Sequence, residues 1–172
     1  MTRFEAGSEQ RQTRICPGNY RMSTVAQPVT AVDGKTAGIK NQGKRILIAE
    51  DDALTARVYS SFLQKAGYEV QVVGDGPSVL PKMGSWLPHG ILLDIMLPGL
   101  NGIDVLKFTR ASDFGKTIPV VVVTNAFIPE FIEGAKAAGA DKIFSKAQLT
   151  PKEILEEFRI AFAQRETTLM RR

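Results

Sequence analysis

From Lys44 onward, short runs of branched apolar residues alternate with longer segments in which apolar positions recur every three or four residues. Residues 45–49 (RILIA), 69–73 (EVQVV), 90–93 (GILL), 119–123 (PVVVV) and 142–144 (KIF) have the length and composition of strands. Residues 53–66 carry Leu54, Val58, Phe62 and Leu63 at helical spacing, and Gly67 follows where a left-handed cap ends a helix. A second helix near residues 77–86 is expected to be short or kinked, because Pro81 removes an internal hydrogen bond and crowds the preceding turn. A third follows Asn101 and Gly102 with Val105, Leu106 and Thr109 on one side, and a fourth runs from Pro129 to Gly139. The last begins at Thr150-Pro151-Lys152-Glu153, a hydroxyl cap, a proline at the first helical position and a glutamate three residues after the cap, ahead of Ile154, Leu155, Phe158 and Phe162. Strand and helix alternate throughout, and nearly continuous apolar strands joined by helices imply a parallel sheet covered on both faces. The expected fold is an α/β domain with a five-stranded, doubly wound parallel sheet.

Residues 1–43 break this pattern. They are rich in Gly, Ser, Thr, Gln and Pro and show no apolar period, so they read as a disordered tail ahead of one domain over residues 44–164, with a short C-terminal tail over residues 165–172. The tail also explains the formal charge of +4: residues 1–45 hold eight Lys or Arg against three Asp or Glu, and the remainder holds fourteen against fifteen. A near-neutral domain lacks the basic face that a phosphate-backbone interface needs, so direct DNA binding is not expected. No apolar run approaches the roughly 18 residues of a membrane span. Cys16 is the single cysteine, which excludes an internal disulfide and a thiolate-rich zinc site, and with no secretory signal pattern a cytoplasmic location is expected.

In a doubly wound sheet, ligands bind beyond the carboxyl ends of the strands. Strand one ends in Glu50-Asp51-Asp52, strand three in Asp94, strand four in Thr124, and strand five leads to Lys146. Carboxylates, a hydroxyl and an ammonium gathered there could hold a hard cation such as Mg²⁺ together with a phosphoryl group. Asp94 would then act as nucleophile, with Thr124 and Lys146 donating to the phosphoryl oxygens. Taken singly, each residue has a plainer reading: an acidic run after a strand is more often a solvated loop, Asp52 can serve as a helix cap, and Thr124 and Lys146 can be ordinary surface residues.

The motifs ILIAEDD (residues 46–52), LLDIMLPGLNG (92–102), VVVVTNA (120–126) and GADKIFSKA (139–147) make the chain resemble the response-regulator receiver family over about 120 residues. The resemblance implies a flavodoxin-like fold with strand order 2-1-3-4-5 and a phosphorelay role in two-component signalling. In that role Asp94 would be the phosphoacceptor, Glu50 and Asp51 the acidic pair for Mg²⁺, the Met96 carbonyl a further ligand, and Thr124 and Lys146 the phosphoryl-contacting residues. It implies a sensor histidine kinase or histidine phosphotransfer protein as donor, and output through another protein by way of the fourth helix, fifth strand and fifth helix, a surface that a homodimer could also use. Residues 127–132 (FIPEFI) add apolar side chains there. The domain is not a conventional enzyme in this reading; self-phosphorylation from a phosphodonor is expected, and self-dephosphorylation is expected to be slow because Met96 and Ala126 offer no polar group to guide water.

The chain departs from the family at three places: Ala147 replaces the usual proline after the lysine, Ile143 takes the aromatic switch position with Phe144 beside it, and Asn125 replaces a small residue. The first motivates a rival reading, a phosphorylation-independent pseudoreceiver acting as a protein-binding module. A haloacid-dehalogenase-type hydrolase would need an acid at Met96, and a flavodoxin would need a hydroxyl-rich phosphate loop where three carboxylates stand.

Overall fold

The structure is a computed structural model that describes residue 41, residues 43–125 and residues 128–169. The expected disordered tail therefore lies almost wholly outside the described residues, as do Ala126 and Phe127. Within them the chain alternates β1 (Arg45–Ala49), α1 (Ala53–Lys65), β2 (Glu69–Val73), α2 (Gly76–Trp86), β3 (Gly90–Leu93), α3 (Gly102–Ala111), β4 (Val120–Thr124), α4 (Pro129–Ala137), β5 (Lys142–Ser145) and α5 (Pro151–Leu169). The strands form one parallel sheet in the order β2-β1-β3-β4-β5.

The continuous apolar runs are explained by burial on both faces. Alternate residues point to opposite sides of a strand. Leu47, Ala49, Ile91, Leu93, Val120 and Val122 enter one core with Val79 and Met83 of α2, Val105 and Leu106 of α3 and Ala135 of α4. Ile46, Ile48, Leu92, Val121 and Val123 enter the other, with Tyr59 and Leu63 of α1 and Ile154, Phe158 and Phe162 of α5.

Three expectations are corrected, and α1 packs by a side that its apolar spacing does not reveal. On α1 the buried residues are Ala56, Tyr59 and Leu63, whereas Leu54, Val58 and Phe62 are 76%, 52% and 43% exposed. The helix turns Ala56, Tyr59 and Leu63 inward and so leaves Leu54, Val58 and Phe62 on its outer side. Helix α2 is not short: it runs for 11 residues with Pro81 inside it. It starts under a cap in which Asp75 accepts from Ser78 N–H at 2.8 Å and from Ser78 Oγ at 2.9 Å. Pro81 faces solvent, where water can reach the carbonyl that its missing N–H leaves without a donor. Strand β4 begins and ends one residue later than its apolar pattern suggests, taking in Thr124. Helix α5 continues to Leu169, so residues 165–169 belong to the helix and not to a separate tail.

Candidate functional site

The sheet delivers its polar residues to one edge by extending its ladder past the strands. Glu50 N–H donates to the Val73 carbonyl and Asp94 N–H to the Ala49 carbonyl, each at 3.0 Å, so both carboxylate residues are pinned at the carboxyl ends of the central strands. On the other side of β3, Lys146 N–H donates to the carbonyl of Thr124 at 3.1 Å. Thr124 is itself fully buried.

These anchors bring the side chains together. Lys146 Nζ lies 2.6 Å from Asp94 Oδ2 and 2.6 Å from Glu50 Oε2, and all three side chains are at most 11% exposed. The second oxygen of each carboxylate takes a backbone donor: Met96 N–H to Asp94 Oδ1 at 3.0 Å, and Asp52 N–H to Glu50 Oε1 at 3.2 Å. Burial raises the pKa of Glu50 above its ordinary value, outweighing the bond and charge from Lys146. For Lys146, burial alone would lower the pKa, but hydrogen bonds and charge from Asp94 and Glu50 prevail and raise it. The ammonium is therefore held firmly charged between two carboxylates.

Asp51 is exposed, yet one of its oxygens joins one each from Glu50 and Asp94 within a 4.8 Å group. Three carboxylates against one ammonium would leave a formal excess of two negative charges in a confined space. An all-oxygen donor set with that deficit fits a hard divalent cation such as Mg²⁺. Asp52 does not join the group: its Oδ1 accepts from Leu54 N–H at 3.1 Å and its Oδ2 from Thr55 Oγ1 at 2.7 Å, the capping role weighed for it from the sequence.

Two glycines shape the loop after Asp94. A Cβ on Gly102 would stand 2.1 Å from the Asp94 carbonyl oxygen, and one on Gly76 would stand 1.9 Å from that of Leu100. The N–H of Gly102 donates to the Ile95 carbonyl at 2.8 Å, so α3 starts directly against the backbone that carries the acceptor. The motif LLDIMLPGLNG does not by itself reveal this close approach. Sequence reading also passed over Tyr59, which is buried on the inner side of α1; burial raises its pKa, with smaller effects from the charges of Lys146, Glu50 and Asp94.

Two of the three departures from the family pattern bear on this arrangement. Ala147 follows Lys146 in an ordinary trans peptide, and the ammonium still reaches Asp94. Ile143 packs against the core on the α3 and α4 side, while Phe144 packs on the opposite face of the sheet. The phenylalanine is therefore no substitute for a ring at position 143.

The sequence model of the response regulator receiver domain matches residues 46–159. A DNA-binding response regulator, MtrA of Mycobacterium tuberculosis strain H37Rv, is 36% identical over 116 residues, which are 67% of this chain and 49% of that protein. The sensory/regulatory protein RpfC of Xanthomonas campestris is 33% identical over 110 residues, 63% of this chain and 15% of that protein. The chain spans about half the length of the MtrA relatives it matches. Among solved structures, a CheY-like receiver domain protein from Methanospirillum hungatei superposes with a TM-score of 0.68 at 26% identity, covering 73% of this chain and 98% of that one. The receiver domain of the Pseudomonas aeruginosa sensor histidine kinase PA1611, with magnesium coordinated in its active-site cleft, gives 0.65 at 25% identity, covering 70% and 98%.

Proposed function

The chain belongs to the response regulator receiver domain family of two-component signalling, and from that membership we propose that Asp94 accepts a phosphoryl group from a phosphohistidine of a sensor histidine kinase or histidine phosphotransfer protein. The observation that carries the reading is the contact of 2.6 Å between Lys146 Nζ and Asp94 Oδ2 beside two further carboxylates.

A carboxylate oxygen of Asp94 attacks phosphorus, the phosphorus–nitrogen bond to the donor imidazole breaks, and the imidazole leaves as the neutral base once protonated. Glu50, Asp51 and Asp94 would hold Mg²⁺, with the Met96 carbonyl as the further ligand implied by the family. When bound, the cation neutralises charge on the transferring oxygens. Lys146 is positioned to exchange its bond to Asp94 for one to a phosphoryl oxygen, and Thr124 supplies a hydroxyl from the adjoining strand end. The new charge then biases the protein between two surface states that a downstream protein reads.

The exposed row Leu54, Val58 and Phe62 begins two residues after Asp52, on the helix that leaves the site, and offers the donor protein an apolar face beside the acceptor. The domain's balanced charge supports signalling by protein contact and not by direct binding to DNA. No described helix is long and apolar enough to cross a membrane, and the cytoplasmic location implied by the family is part of the proposal.

Intact-protein mass spectrometry after incubation with acetyl phosphate and Mg²⁺ tests the reading. Wild type should gain one phosphoryl group and Asp94→Ala none; a wild type that stays unmodified would favour a binding-only module.

A further inference from the structure

The amino-terminal edge of the sheet, opposite the acidic site, holds a second link between the two strands that carry Glu50 and Asp94. Arg45 N–H, at the start of β1, donates to His89 Nδ1 at 2.9 Å. His89, just before β3, returns a bond from its own N–H to the Arg45 carbonyl at 2.7 Å. A ring nitrogen that accepts a hydrogen bond carries no proton, so the imidazole is neutral with its proton on Nε2. Adding a proton puts a hydrogen on both nitrogens, and Arg45 N–H then faces a donor.

The surroundings oppose that second proton. Partial burial is the main cause, followed by the positive charges of Arg45 and Lys44, with Glu69 at the start of β2 as the one carboxylate acting the other way; together they hold His89 below the ordinary 6.5. The neighbouring helices contribute uncharged rings. From α2, Trp86 lies 5.9 Å from the Arg45 guanidinium carbon, and from α5, Phe162 lies 4.8 Å from the Lys44 ammonium. Among the described residues Arg45 Nε is buried with no hydrogen-bond partner, so none of them anchors the side chain at that atom against repulsion from a charged ring.

We propose that Arg45 and His89 form a proton-sensitive clasp, closed while His89 is neutral, that ties the amino-terminal ends of β1 and β3 together and opens when the ring is protonated. The unfolded chain takes up this proton more readily than the folded one. The clasp therefore contributes fully above pH 6.5, and its contribution is lost as pH falls through the lower folded value.

His89 is the only histidine in the chain, so its ring signal is unambiguous in an NMR titration. The full chain should show an imidazole midpoint below 6.5, with the Arg45 amide resonance moving in step. In parallel, chemical denaturation is run at about pH 7.5 and about pH 5.5 on wild type and His89→Asn, whose Oδ1 accepts a bond without titrating in this range. Wild type should lose stability on acidification and the variant should lose clearly less. The clasp is overturned if the Arg45 amide ignores the ring's titration, or if both proteins lose stability equally. Should the variant not fold, the amide titration alone decides.

Discussion

Lys146 and Asp94, separated by 52 positions in the chain, meet at 2.6 Å between Nζ and Oδ2, and the same ammonium holds Glu50 at 2.6 Å. One cation thus keeps two buried carboxylates from facing each other unshielded. Lys146→Met removes that cation while filling much of its volume. We predict a loss of about 3 kcal/mol in metal-free urea denaturation, as expected for breaking a buried ion pair by removing one partner. Added Mg²⁺ should recover more stability in the variant than in wild type. Equal stability without metal would show that the ion pair does not hold this edge.

Gly102→Ala drives a methyl group into the Asp94 carbonyl, a backbone atom that cannot swing aside. The expected cost is about 2 kcal/mol by thermal denaturation, in the range of overpacked cores. Phosphorylation from acetyl phosphate should slow at the same time, because the displaced backbone carries the acceptor. Unchanged stability and rate would mean that α3 does not fix the loop.

Tyr68 offers a change in the opposite direction. It is 4% exposed, and its hydroxyl is buried with no partner among the described residues; burial pushes its pKa up to about 12. Tyr68→Phe removes a desolvated group that gains nothing, so the variant should be as stable as wild type or up to about 1 kcal/mol more stable. A clear loss in the denaturation midpoint would show that the hydroxyl is bonded after all.

Self-dephosphorylation is predicted to be slow. The Met96 side chain is 54% exposed two positions after the acceptor and has no group to orient an attacking water. A phosphate-release assay should show the phosphorylated form persisting for minutes or longer, and Met96→Asn should shorten its lifetime severalfold by supplying a hydrogen-bonding amide. Release within seconds from wild type would contradict this.

Helix α1 shows where sequence reading reached its limit. The spacing of Leu54, Val58 and Phe62 marks a helix, but helical periodicity alone does not say which side meets the sheet, and the buried residues are Ala56, Tyr59 and Leu63. Val58→Ser should therefore stay within about 0.5 kcal/mol of wild type, as exposed positions do, while Leu63→Ala should cost about 3 kcal/mol. The reverse order would mean that the helix packs by its Leu54, Val58 and Phe62 side.

By contrast, the alternation of β strands with helices and the meeting of Glu50, Asp51, Asp94 and Lys146 were legible, because strand ends in a parallel sheet share one edge; the strand order came only with the family resemblance. Pro81 does not shorten α2, because the cost of a proline depends on whether the freed carbonyl sees water. The contacts of Gly102 and the clasp at His89 depend on tertiary approach between segments far apart in the chain. Neither leaves a periodic trace.

The central claim is tested most directly by locating the phosphoryl group. Borohydride reduces an acyl phosphate to the alcohol, converting the phosphorylated aspartate to homoserine, and peptide sequencing by mass spectrometry finds the position. After treatment with acetyl phosphate and Mg²⁺, homoserine should appear at position 94 and vanish when Mg²⁺ is chelated beforehand. Reduction at Glu50 or Asp51, or an unmodified Asp94 in fully folded protein, would contradict the account.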